Sequence, residues 1–427
     1  MSHETTRLKI LWVKAGGLVP PDMGGKIRSY HILRELAKRH SVTFFSFYAE
    51  HPDDIHQQLT QFFERVVCIP LRIPIPRSRE EVFHFARHMF SPLPYSIGKH
   101  SQPEVVAALR NLLATQSYDV IVCDFVVAGG VIPWSINCPK ILFTHNVEAL
   151  IWHRHFQTSS NFIWKAVAWT EYRKMLRYER FCLENAQHVL TVSDNDRDIF
   201  ARLIDKSRIT VIPTGVDPEY FRPLGEDGQP NELVFAGAMD WMANEDAMLY
   251  FTREILPLIR KEIPHVMLTV VGRSPSRRLH ALAKADKHIR VTGRVEDIRP
   301  YVGAASVYIA PLRVGSGTRL KIFEAMAMGK AIVSTAIGAE GLPVTDGTDI
   351  LIAETPQNFA SNVVSLLRQP EQRKRLGLSA RQLVEQRYSW TIVSELVEAV
   401  LGRIAREYRG KLASRAVHGT RSCVPLK

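Results

Sequence analysis

Cysteine is scarce in this sequence, and its spacing excludes one class of fold. The five cysteines among 427 residues are odd in number and form no CxxC pair, so a disulfide framework is not expected. Long hydrophobic runs are missing as well. The nearest candidate, residues 120 to 134, is interrupted by Asp124 and is shorter than the roughly 18–20 residues that span a bilayer. The sequence therefore predicts no membrane-spanning helix.

The N-terminal residues also lack a recognisable targeting signal. They read MSHETTRLKILWV, without the basic, apolar and small-residue segments of a secretory signal, so we expect a cytoplasmic protein. The net charge of +12 admits anionic partners, but no dense basic stripe with interleaved aromatics is present, and nucleic acid is not expected. The segment after Gly410 contains four Lys or Arg residues and no Asp or Glu. These positive charges allow a second possibility, in which the cytoplasmic protein contacts the inner face of an anionic membrane.

The composition is that of a folded protein, with 46% hydrophobic and 23% charged residues. Short apolar runs rich in β-branched residues alternate with helix-period stretches along nearly the whole chain, which predicts βαβ units and parallel sheets. The length fits two doubly wound, Rossmann-like α/β domains of about 200 residues each. The cleft between two such domains is the default ligand site.

The domain boundaries follow from turn residues and periodicity. Residues 1–215 form the predicted first domain and residues 216–390 the second, with a stretch dense in Gly, Pro, Asp and Asn at the junction. Residues 391–410 have helical spacing and are expected to form a helix that packs back across the interface. Residues 411–427 lack periodicity, so a disordered basic tail is expected there.

The stretch from residue 306 to 335, SVYIAPLRVGSGTRLKIFEAMAMGKAIVST, is the most informative. It predicts a strand, a glycine-containing loop, a helix and a second strand. Gly315 and Gly317 let the backbone approach an oxyanion, and the amides of Gly317, Thr318 and Arg319 open the helix and point toward it. We expect an anion there, most plausibly a diphosphate.

Glu324 lies seven residues beyond Gly317 on the same helix, which ends at Gly329 as its C-cap. At 1.5 Å per residue the separation is about 10 Å, close to the distance from a nucleotide's diphosphate to its ribose hydroxyls. An ordinary helix start with a surface glutamate is one alternative. A dinucleotide fingerprint with Glu340 as the ribose ligand is another, although Leu320 occupies the place of its third glycine.

Further segments match one family in the same order along the chain. They read PPDMGGKIRSYHILREL, FTHNVEALIWHR, VIPTGVDPEYF, VFAGAMDWMANEDAMLYF and GSGTRLKIFEAMAMGKAIVST. Together they resemble the retaining glycosyltransferases of family 4, also called group 1, in the subgroup with a GSGTRLK-type loop. The resemblance implies a GT-B fold of two facing Rossmann-like domains, and a nucleotide-sugar as substrate without a further cofactor.

The resemblance assigns donor-binding roles in the second half of the chain. Glu324 matches the second glutamate of the family's E-x7-E signature, which holds the ribose. The first glutamate is replaced by Ser316, which with Gly315 is expected near the donor sugar. The family's Arg and Lys pair early in the second domain is also missing, so Arg319 and Lys321 are expected to meet the diphosphate charge.

Two further pairs are assigned in the same way. Gly24 and Gly25, in a loop that opens the first predicted helix, match the family's glycine pair at the diphosphate. Arg294 and Val295 follow a predicted strand in the region where family members contact the base, largely through backbone groups.

Three side chains at one rim of the first domain complete the expected site. His145 ends a predicted strand, where α/β folds place ligand groups, and it resembles the family's histidine near the donor sugar. We interpret it as the catalytic-site histidine, with a structural role as the alternative. Asp124 and Glu148 are expected on the same rim, facing the acceptor.

Two patterns that resemble metal sites are better explained otherwise. The acidic run SDNDRDIF lacks the glycine of a calcium loop, and Ser193 before it is typical of a helix cap. His153 and His155 have no ligand partner at a fixed spacing, so we interpret them as packing or surface residues. No metal is predicted.

These expectations combine into one leading function. The chain is expected to be a retaining, metal-independent hexosyltransferase that uses a hydroxyl acceptor, saccharide or lipid-linked, in polysaccharide or glycolipid biosynthesis. A non-catalytic nucleotide-sugar-binding or scaffold protein and a nicotinamide-dependent oxidoreductase are the two alternatives. The sequence does not indicate the sugar, the base or the acceptor.

Overall fold

The chain folds into two compact units in the computed structural model. The structure describes residues 7–21, 23–48, 58–74, 78–159, 161–225, 228–314 and 320–419. Unit 1 contains the described residues up to Pro213 and those from Ser394 onward, and unit 2 is Thr214–Val393. The division predicted between residues 215 and 216 lies close to this boundary.

Unit 1 is built on a parallel sheet. Its strands among the described residues are β1 (Lys9–Ala15), β2 (Ser41–Tyr48), β3 (Arg65–Pro70), β4 (Val120–Asp124), β5 (Lys140–Phe143), β6 (His188–Thr191) and β7 (Ile209–Val211). They lie in the order β3-β2-β1-β4-β5-β6-β7. The order therefore reverses between β1 and β4, and in doubly wound sheets ligands bind at the carboxyl ends of the strands beside such a switch point.

Helices cover this sheet and bury its apolar faces. Those of unit 1 in the described residues are α1 (Gly24–Ala37), α2 (Arg79–His88), α3 (Tyr95–Gly98), α4 (Pro103–Thr115), α5 (Glu148–Thr158), α6 (Phe162–Asn185) and α7 (Asp194–Phe200). Local side chains fix several starts: the Asn161 side chain accepts from the amides of Ile163 and Trp164, and Ser193 accepts from Asp196. The cap predicted at Ser193 is confirmed.

Unit 2 repeats the architecture with a second parallel sheet. Its strands among the described residues are β8 (Gln229–Ala236), β9 (Met267–Val271), β10 (Ile289–Val291), β11 (Ala305–Ala310), β12 (Ala331–Ser334) and β13 (Leu351–Ile352). The order is β10-β9-β8-β11-β12-β13, so the switch point lies between β8 and β11. The fold class predicted from the alternating pattern is confirmed in both units.

The helices of unit 2 pack on both faces of its sheet, where two separate apolar clusters form. In the described residues they are α8 (Met242–Tyr250), α9 (Leu256–Glu262), α10 (Arg277–Ala285), α11 (Arg299–Ala304), α12 (Leu320–Ala327), α13 (Pro356–Arg368) and α14 (Pro370–Arg387). Helix α12 ends as predicted: Gly329 has a φ of +67° and the amide of Lys330 donates to the carbonyl of Ala325.

The last helix, α15 (Trp390–Gly419), corrects one expectation. Residues 411–419 continue the helix rather than forming the predicted disordered tail, and the rest of that segment lies outside the described residues. Helix α15 is fixed to unit 1 by ion pairs and hydrogen bonds: Glu398 lies 3.0 Å from His40, and Arg409 donates to Asp119 at 2.6 Å. The run KLAS after Gly410 contains good helix formers, which explains the extension.

Two segments of unit 2 that lie next to the boundary run side by side. The amide of Val216 donates to the carbonyl of Tyr388 at 2.8 Å, and the amide of Trp390 donates back to Val216 at 3.1 Å. A Cβ atom added to Gly215 would lie 2.6 Å from the Trp390 indole, so glycine is required there. None of the helices in the described ranges is both long and apolar enough to cross a membrane.

Arg28 joins the carboxyl ends of three strands in unit 1. Only 2% of it is exposed, and its guanidinium lies 4.6 Å from the centre of the Phe143 ring. It donates to the carbonyls of Thr144, Thr191 and Ile212, which follow or end β5, β6 and β7. Burial lowers the pKa of Arg28 to about 9, so the side chain stays charged at neutral pH.

We predict that Arg28→Ala lowers the free energy of unfolding by about 2–5 kcal/mol, because three carbonyls at the strand ends lose a charged donor and a cavity opens. Arg34→Ala on the exposed face of the same helix is the matched control and should change it by less than about 0.5 kcal/mol. Denaturant unfolding followed by circular dichroism measures both. Equal losses for the two variants would contradict the bridging role of Arg28.

Candidate functional site

The strand register of unit 1 brings charged side chains together at its switch point. Lys14 on β1 is the register partner of Asp124 on β4, and Asp124 is in turn the partner of Phe143 on β5. His145 follows β5 two residues later. Because all three strands are parallel, their carboxyl ends place these side chains at one edge of the sheet.

Asp124 is the centre of this cluster. It is fully buried, and its Oδ2 atom accepts from Trp12 Nε1 at 2.8 Å and from Lys14 Nζ at 3.1 Å. Its Oδ1 atom lies 2.7 Å from Nε2 of His145. Lys14 and the hydrogen bond from His145 hold the pKa of Asp124 far below its ordinary value, against the opposing effect of burial. Asp124 has no exposed surface and acts here through its neighbours, and its acceptor-side role stays a prediction.

His145 is oriented by this carboxylate. Burial lowers the pKa of His145 to about 4, although Asp124 opposes that shift, so the ring is neutral at pH 7. An ionised Asp124 can only accept, and Nε2 of His145 must therefore carry the proton. Nδ1 is then left with a lone pair, and it has no hydrogen-bond partner within the ranges described. The imidazole thus keeps one unsatisfied acceptor nitrogen, which is buried beside the start of α1.

The glycine pair lies beside this histidine. Gly24 and Gly25 are the first two residues of α1, as expected, and the hydroxyl of Ser29 donates to the carbonyl of Gly25 at 2.9 Å. A Cβ atom added to Gly25 would lie 3.6 Å from the His145 ring. The helix start and the imidazole are therefore in close proximity, while contact with a diphosphate stays a prediction.

Glu148 opens α5 next to a second carboxylate. The amide of Glu148 donates to Glu179 Oε1 at 2.9 Å, and the amide of Ala149 donates to Oε2 at 3.4 Å, so Glu179 on α6 caps α5. Burial raises the pKa of Glu148 to about 7. Burial and, to a smaller extent, repulsion from Glu148 raise the pKa of Glu179 to about 8. Glu148 is partly exposed at the rim, and its acceptor role stays a prediction.

The switch point of unit 2 carries a cation from α12. Nζ of Lys321 donates to Oδ1 of Asn244 at 2.5 Å and lies 4.3 Å from the centre of the Phe235 ring. It also lies 2.9 Å from the position that a Cβ atom of Gly237 would occupy. Gly237 follows β8 directly, so glycine makes room for the ammonium group at the carboxyl end of that strand.

Glu324 lies on the same helix, one turn beyond Lys321. It is partly exposed, and burial of its carboxyl raises its pKa to about 7, with Lys321 opposing the shift. Burial, and to a smaller extent the negative charge of Glu324, raise the pKa of Tyr308, a buried residue of β11 whose hydroxyl donates to the carbonyl of Ala236. Lys321 therefore lies at the β8–β11 switch point, and Glu324 follows it by one turn of α12.

The other predicted residues of unit 2 divide into two groups. The loop residues Gly315, Ser316, Gly317, Thr318 and Arg319 lie outside the described residues. Arg294 is exposed and Val295 is partly buried, and both follow β10 as expected. Their base-binding role stays a prediction.

Two arginines near this switch point are engaged by acidic neighbours. Arg273 lies 3.4 Å from Asp240, and Arg313 makes two hydrogen bonds to Asp246, at 2.7 and 3.1 Å. Each of these arginines thus has a carboxylate partner within unit 2.

The patterns that resemble metal sites have structural roles. Asp194 and Asp198 form ion pairs with Arg197, so their carboxylates are engaged by a cationic side chain. His153 packs against Tyr172 with ring centres 4.9 Å apart. Within the described residues there is no group of three or more His, Cys, Asp or Glu side chains that could hold a metal ion.

Sequence reasoning missed several functional neighbours. Lys14 was detectable in principle, because a charged residue inside an otherwise apolar strand needs a partner. Glu179 gave no local signal, since the amides that it caps are about 30 residues away in sequence. Asn244 gave no local signal either, since its partner Lys321 is 77 residues away in sequence.

Two family profiles match nearly consecutive parts of the chain. The profile of glycosyltransferase family 4 matches residues 24–220, and that of glycosyl transferases group 1 matches residues 230–369. The chain belongs to the glycosyltransferases of group 1 and family 4. The resemblance inferred from the motifs is confirmed, except for the GSGTRLK-type subgroup, which stays a prediction.

Relatives of this glycosyltransferase differ in how much of the chain they share. An uncharacterized 44.6 kDa protein in the cps region of Klebsiella pneumoniae is 21% identical over 89% of this chain and 96% of that protein. The phosphatidyl-myo-inositol mannosyltransferase of Mycobacterium tuberculosis is 28% identical over 45% of this chain and 54% of the relative. The chain thus aligns with about half of the mannosyltransferase.

Solved structures show the same fold at low identity. Sucrose-phosphate synthase from Thermosynechococcus elongatus has a TM-score of 0.63 at 19% identity and covers 95% of this chain and 100% of its own. Anabaena HepE in complex with UDP has a TM-score of 0.65 at 14% identity, over 93% of this chain and 100% of its own. The glycosyltransferase therefore has a two-domain, Rossmann-like GT-B fold.

We predict that Glu179→Gln makes stability less dependent on pH. Because the folded-state pKa of Glu179 is raised to about 8, its contribution to stability is present below about pH 4.5 and is lost as the pH rises through 8. The wild type should lose up to about 1.4 kcal/mol for each pH unit in this window from that one group. Denaturant unfolding at pH 5, 6.5 and 8 measures the slope.

The amide of glutamine keeps one oxygen for the cap, so the variant should still fold. Glu184→Gln on the same helix is the control, since Glu184 is exposed and pairs only with Arg180 among the described residues. It should leave the slope unchanged. A slope for Glu179→Gln equal to that of the wild type would show that Glu179 titrates normally.

Proposed function

We propose that this glycosyltransferase transfers a hexose from a nucleotide-sugar donor to a hydroxyl acceptor, with retention of anomeric configuration and without a metal ion. The observation that carries the proposal is the placement of Lys321 at the switch point of unit 2, with Glu324 on the same helix. Both chemical groups that a nucleotide diphosphate requires, a cation for phosphate and a carboxylate for ribose, lie one helical turn apart on α12.

The nucleotide is assigned to unit 2. Lys321 would meet the diphosphate beside β8, and Glu324 would accept hydrogen bonds from the two ribose hydroxyls. The amides of Gly317, Thr318 and Arg319 precede α12 in sequence and complete the proposed anion site. HepE was solved in complex with UDP, which supports a uridine nucleotide as the first donor class to examine.

His145 of unit 1 is assigned to the sugar. Its buried Nδ1 atom has a lone pair without a partner among the described residues, so a substrate hydroxyl that reaches it beside Gly25 would satisfy it. Asp124 and Lys14 act as positioning residues, since they fix the ring and its tautomer from the buried side. Because the imidazole nitrogen is already fixed, it can orient the sugar through a hydrogen bond, and no mobile side chain has to be ordered during the reaction.

The chemistry proposed for the donor is stabilisation of the departing diphosphate. Helix-start amides and Lys321 offset the charge that develops on the leaving oxygen, a role that often supplies the largest part of enzymatic rate enhancement. The described residues at the two switch points do not include a carboxylate that is placed as an obvious nucleophile. Attack by the acceptor on the face that the diphosphate leaves is consistent with retention in this family.

The acceptor is proposed to be a saccharide or a lipid-linked saccharide. A relative encoded in a cps region and another that is named a phosphatidyl-myo-inositol mannosyltransferase support polysaccharide or glycolipid synthesis. Glu148, partly exposed at the rim of unit 1 with a pKa near 7, can exchange a proton with an acceptor hydroxyl at neutral pH.

We predict that Glu324→Ala weakens binding of a nucleotide-sugar by about tenfold to a hundredfold, because charge-assisted hydrogen bonds are worth roughly 1.5–3 kcal/mol. Glu324→Gln should lose less, since it keeps one acceptor. Calorimetric titration with UDP-, GDP- and ADP-sugars identifies the donor class and measures both losses. Glu371→Gln, an exposed acidic residue at the start of α14, is the control.

Phosphate and ribose contributions can be separated with the nucleoside. The loss caused by Lys321→Ala should shrink when the nucleoside replaces the nucleotide, whereas the loss caused by Glu324→Ala should remain. Since the pKa of Glu324 is about 7, affinity for the nucleotide-sugar should fall about tenfold from pH 8 to pH 6 in the wild type. Equal affinities of wild type and Glu324→Ala would refute the ribose assignment.

We also predict that sugar transfer persists in excess chelator, because the proposed phosphate site consists of amides and an ammonium group. The readout is transfer to a panel of hydroxyl acceptors, with and without added manganese or magnesium. Donor binding without hydrolysis or transfer on any acceptor would favour a non-catalytic binding protein. Loss of transfer that only a divalent metal restores would overturn metal independence.

A further inference from the structure

The hairpin of α5 and α6 ends in an unusual apolar surface. The first turn of α6 exposes Phe162 by 81%, Ile163 by 61% and Trp164 by 42%, and Trp169 one turn later is 40% exposed. We call these four residues the aromatic tip. Single exposed apolar residues are ordinary, but three consecutive large ones at the end of a helix indicate a binding surface.

The aromatic tip is held in place by its surroundings. Asn161 caps the turn by accepting from the amides of Ile163 and Trp164, at 2.9 and 3.1 Å. The ring of Trp169 lies 4.9 Å from that of Phe156 on α5. Because the turn is capped and braced, its apolar side chains are presented outward by an ordered helix rather than by a frayed end.

The segment of the hairpin around the aromatic tip carries charge of one sign. The sequence from residue 149 to 170 contains no Asp or Glu, while Arg154 and Lys165 supply positive charge. Lys165 Nζ lies 5.2 Å from the centre of the Phe156 ring, and the guanidinium of Arg173 lies 5.8 Å from that of Trp169. Aromatic rings interleaved with cations match the interface of an anionic bilayer, where apolar groups insert and cations meet headgroups.

A second helix with exposed apolar side chains is tied to α6. Helix α2 has no buried residue among its ten, and it exposes Val82 by 66% and Phe83 by 67%. Its carboxyl end is fixed by Nζ of Lys174, which donates to the carbonyls of His88 and Met89. Val82 and Phe83 thus add exposed apolar side chains to unit 1, on a helix that also carries Glu80 and Glu81.

The hairpin also connects this surface to the candidate site. Helix α5 begins at Glu148, three residues after His145, and ends at Thr158, close to the start of α6. Eleven helical residues at 1.5 Å each span about 16 Å. A bilayer surface at the aromatic tip would therefore lie within about 20 Å of the rim residues of unit 1.

We propose that the aromatic tip docks this protein on an anionic lipid bilayer and that its acceptor is anchored in that bilayer. The choice of acceptor rests on the proposed function, whereas the docking itself does not. Residues Phe162, Ile163 and Trp164 insert at the headgroup level, and Lys165 and Arg173 contact anionic headgroups. The bilayer then holds a lipid-linked acceptor at a fixed height below the rim of unit 1.

Flotation with vesicles tests the docking without any substrate. The full-length protein should float with phosphatidylcholine vesicles that contain about 30 mol % phosphatidylglycerol, and less with pure phosphatidylcholine. The double variant Phe162→Ser/Trp164→Ser should lower the partition coefficient at least about tenfold. Lys165→Glu/Arg173→Glu should abolish the difference between the two vesicle types. Leu396→Ser and Leu378→Ser, at exposed apolar sites on α15 and α14, are the controls and should bind as the wild type.

The outcomes separate docking from catalysis. Nucleotide-sugar binding of the double variant should equal that of the wild type. Thermal unfolding should remain cooperative with a small loss of stability, because Phe162 is exposed but Trp164 also packs near Trp152 and His155. Transfer to a lipid-linked acceptor in vesicles should fall, while transfer to a soluble analogue persists. Failure of the wild type to float while it still binds donor would overturn docking and leave the proposed function standing. Sedimentation that shows a wild-type dimer and a monomeric double variant would assign the aromatic tip to a second copy instead.

Discussion

The buried carboxylate of Asp124 is the constraint on which the candidate site of unit 1 depends. Removing a carboxylate from water costs several kcal/mol unless donors replace the lost hydration. Trp12, Lys14 and His145 supply those donors. The contact with Asp124 also fixes these side chains. The ammonium group of Lys14 has its hydrogen-bond partners inside unit 1, and the ring of His145 is held in one tautomer. The hydrogen-bonding capacity that this cluster leaves unused is therefore the acceptor nitrogen of the neutral imidazole.

The two switch points use charge in different ways. In unit 1 the ion pair of Lys14 and Asp124 is almost fully buried, so it fixes geometry and is poorly suited to bind a ligand directly. In unit 2 Lys321 and Glu324 are only partly buried, and the pKa of Glu324 near 7 lets a ligand shift its protonation. The same fold thus has two kinds of sheet edge. In unit 1 the charges are fixed in advance, and in unit 2 the charge of Glu324 can change when a charged group comes near it.

Much of the fold could be predicted from sequence, because its signals are local. Strand runs, the cap at Ser193 and the C-cap at Gly329 each depend on residues within one or two turns. The position of His145 at a strand end was also accessible. The role of Asp124 was not, because the last residue of a strand can point into the sheet edge or out of it. That choice was decided by Lys14, whose contact with Asp124 spans 110 residues of sequence.

Long-range contacts also account for what joins the separate parts of unit 1. Glu179 projects from α6 to cap α5, so it satisfies two amides at the start of the helix that follows His145. The capping carboxylate holds the start of α5 against α6 at one end, while the rings of Phe156 and Trp169 pack together toward the other. Helices α5 and α6 are thus held together by contacts near each end of α5. Through this hairpin the rim beside His145 is connected to the aromatic tip by packed helical structure rather than by a free loop.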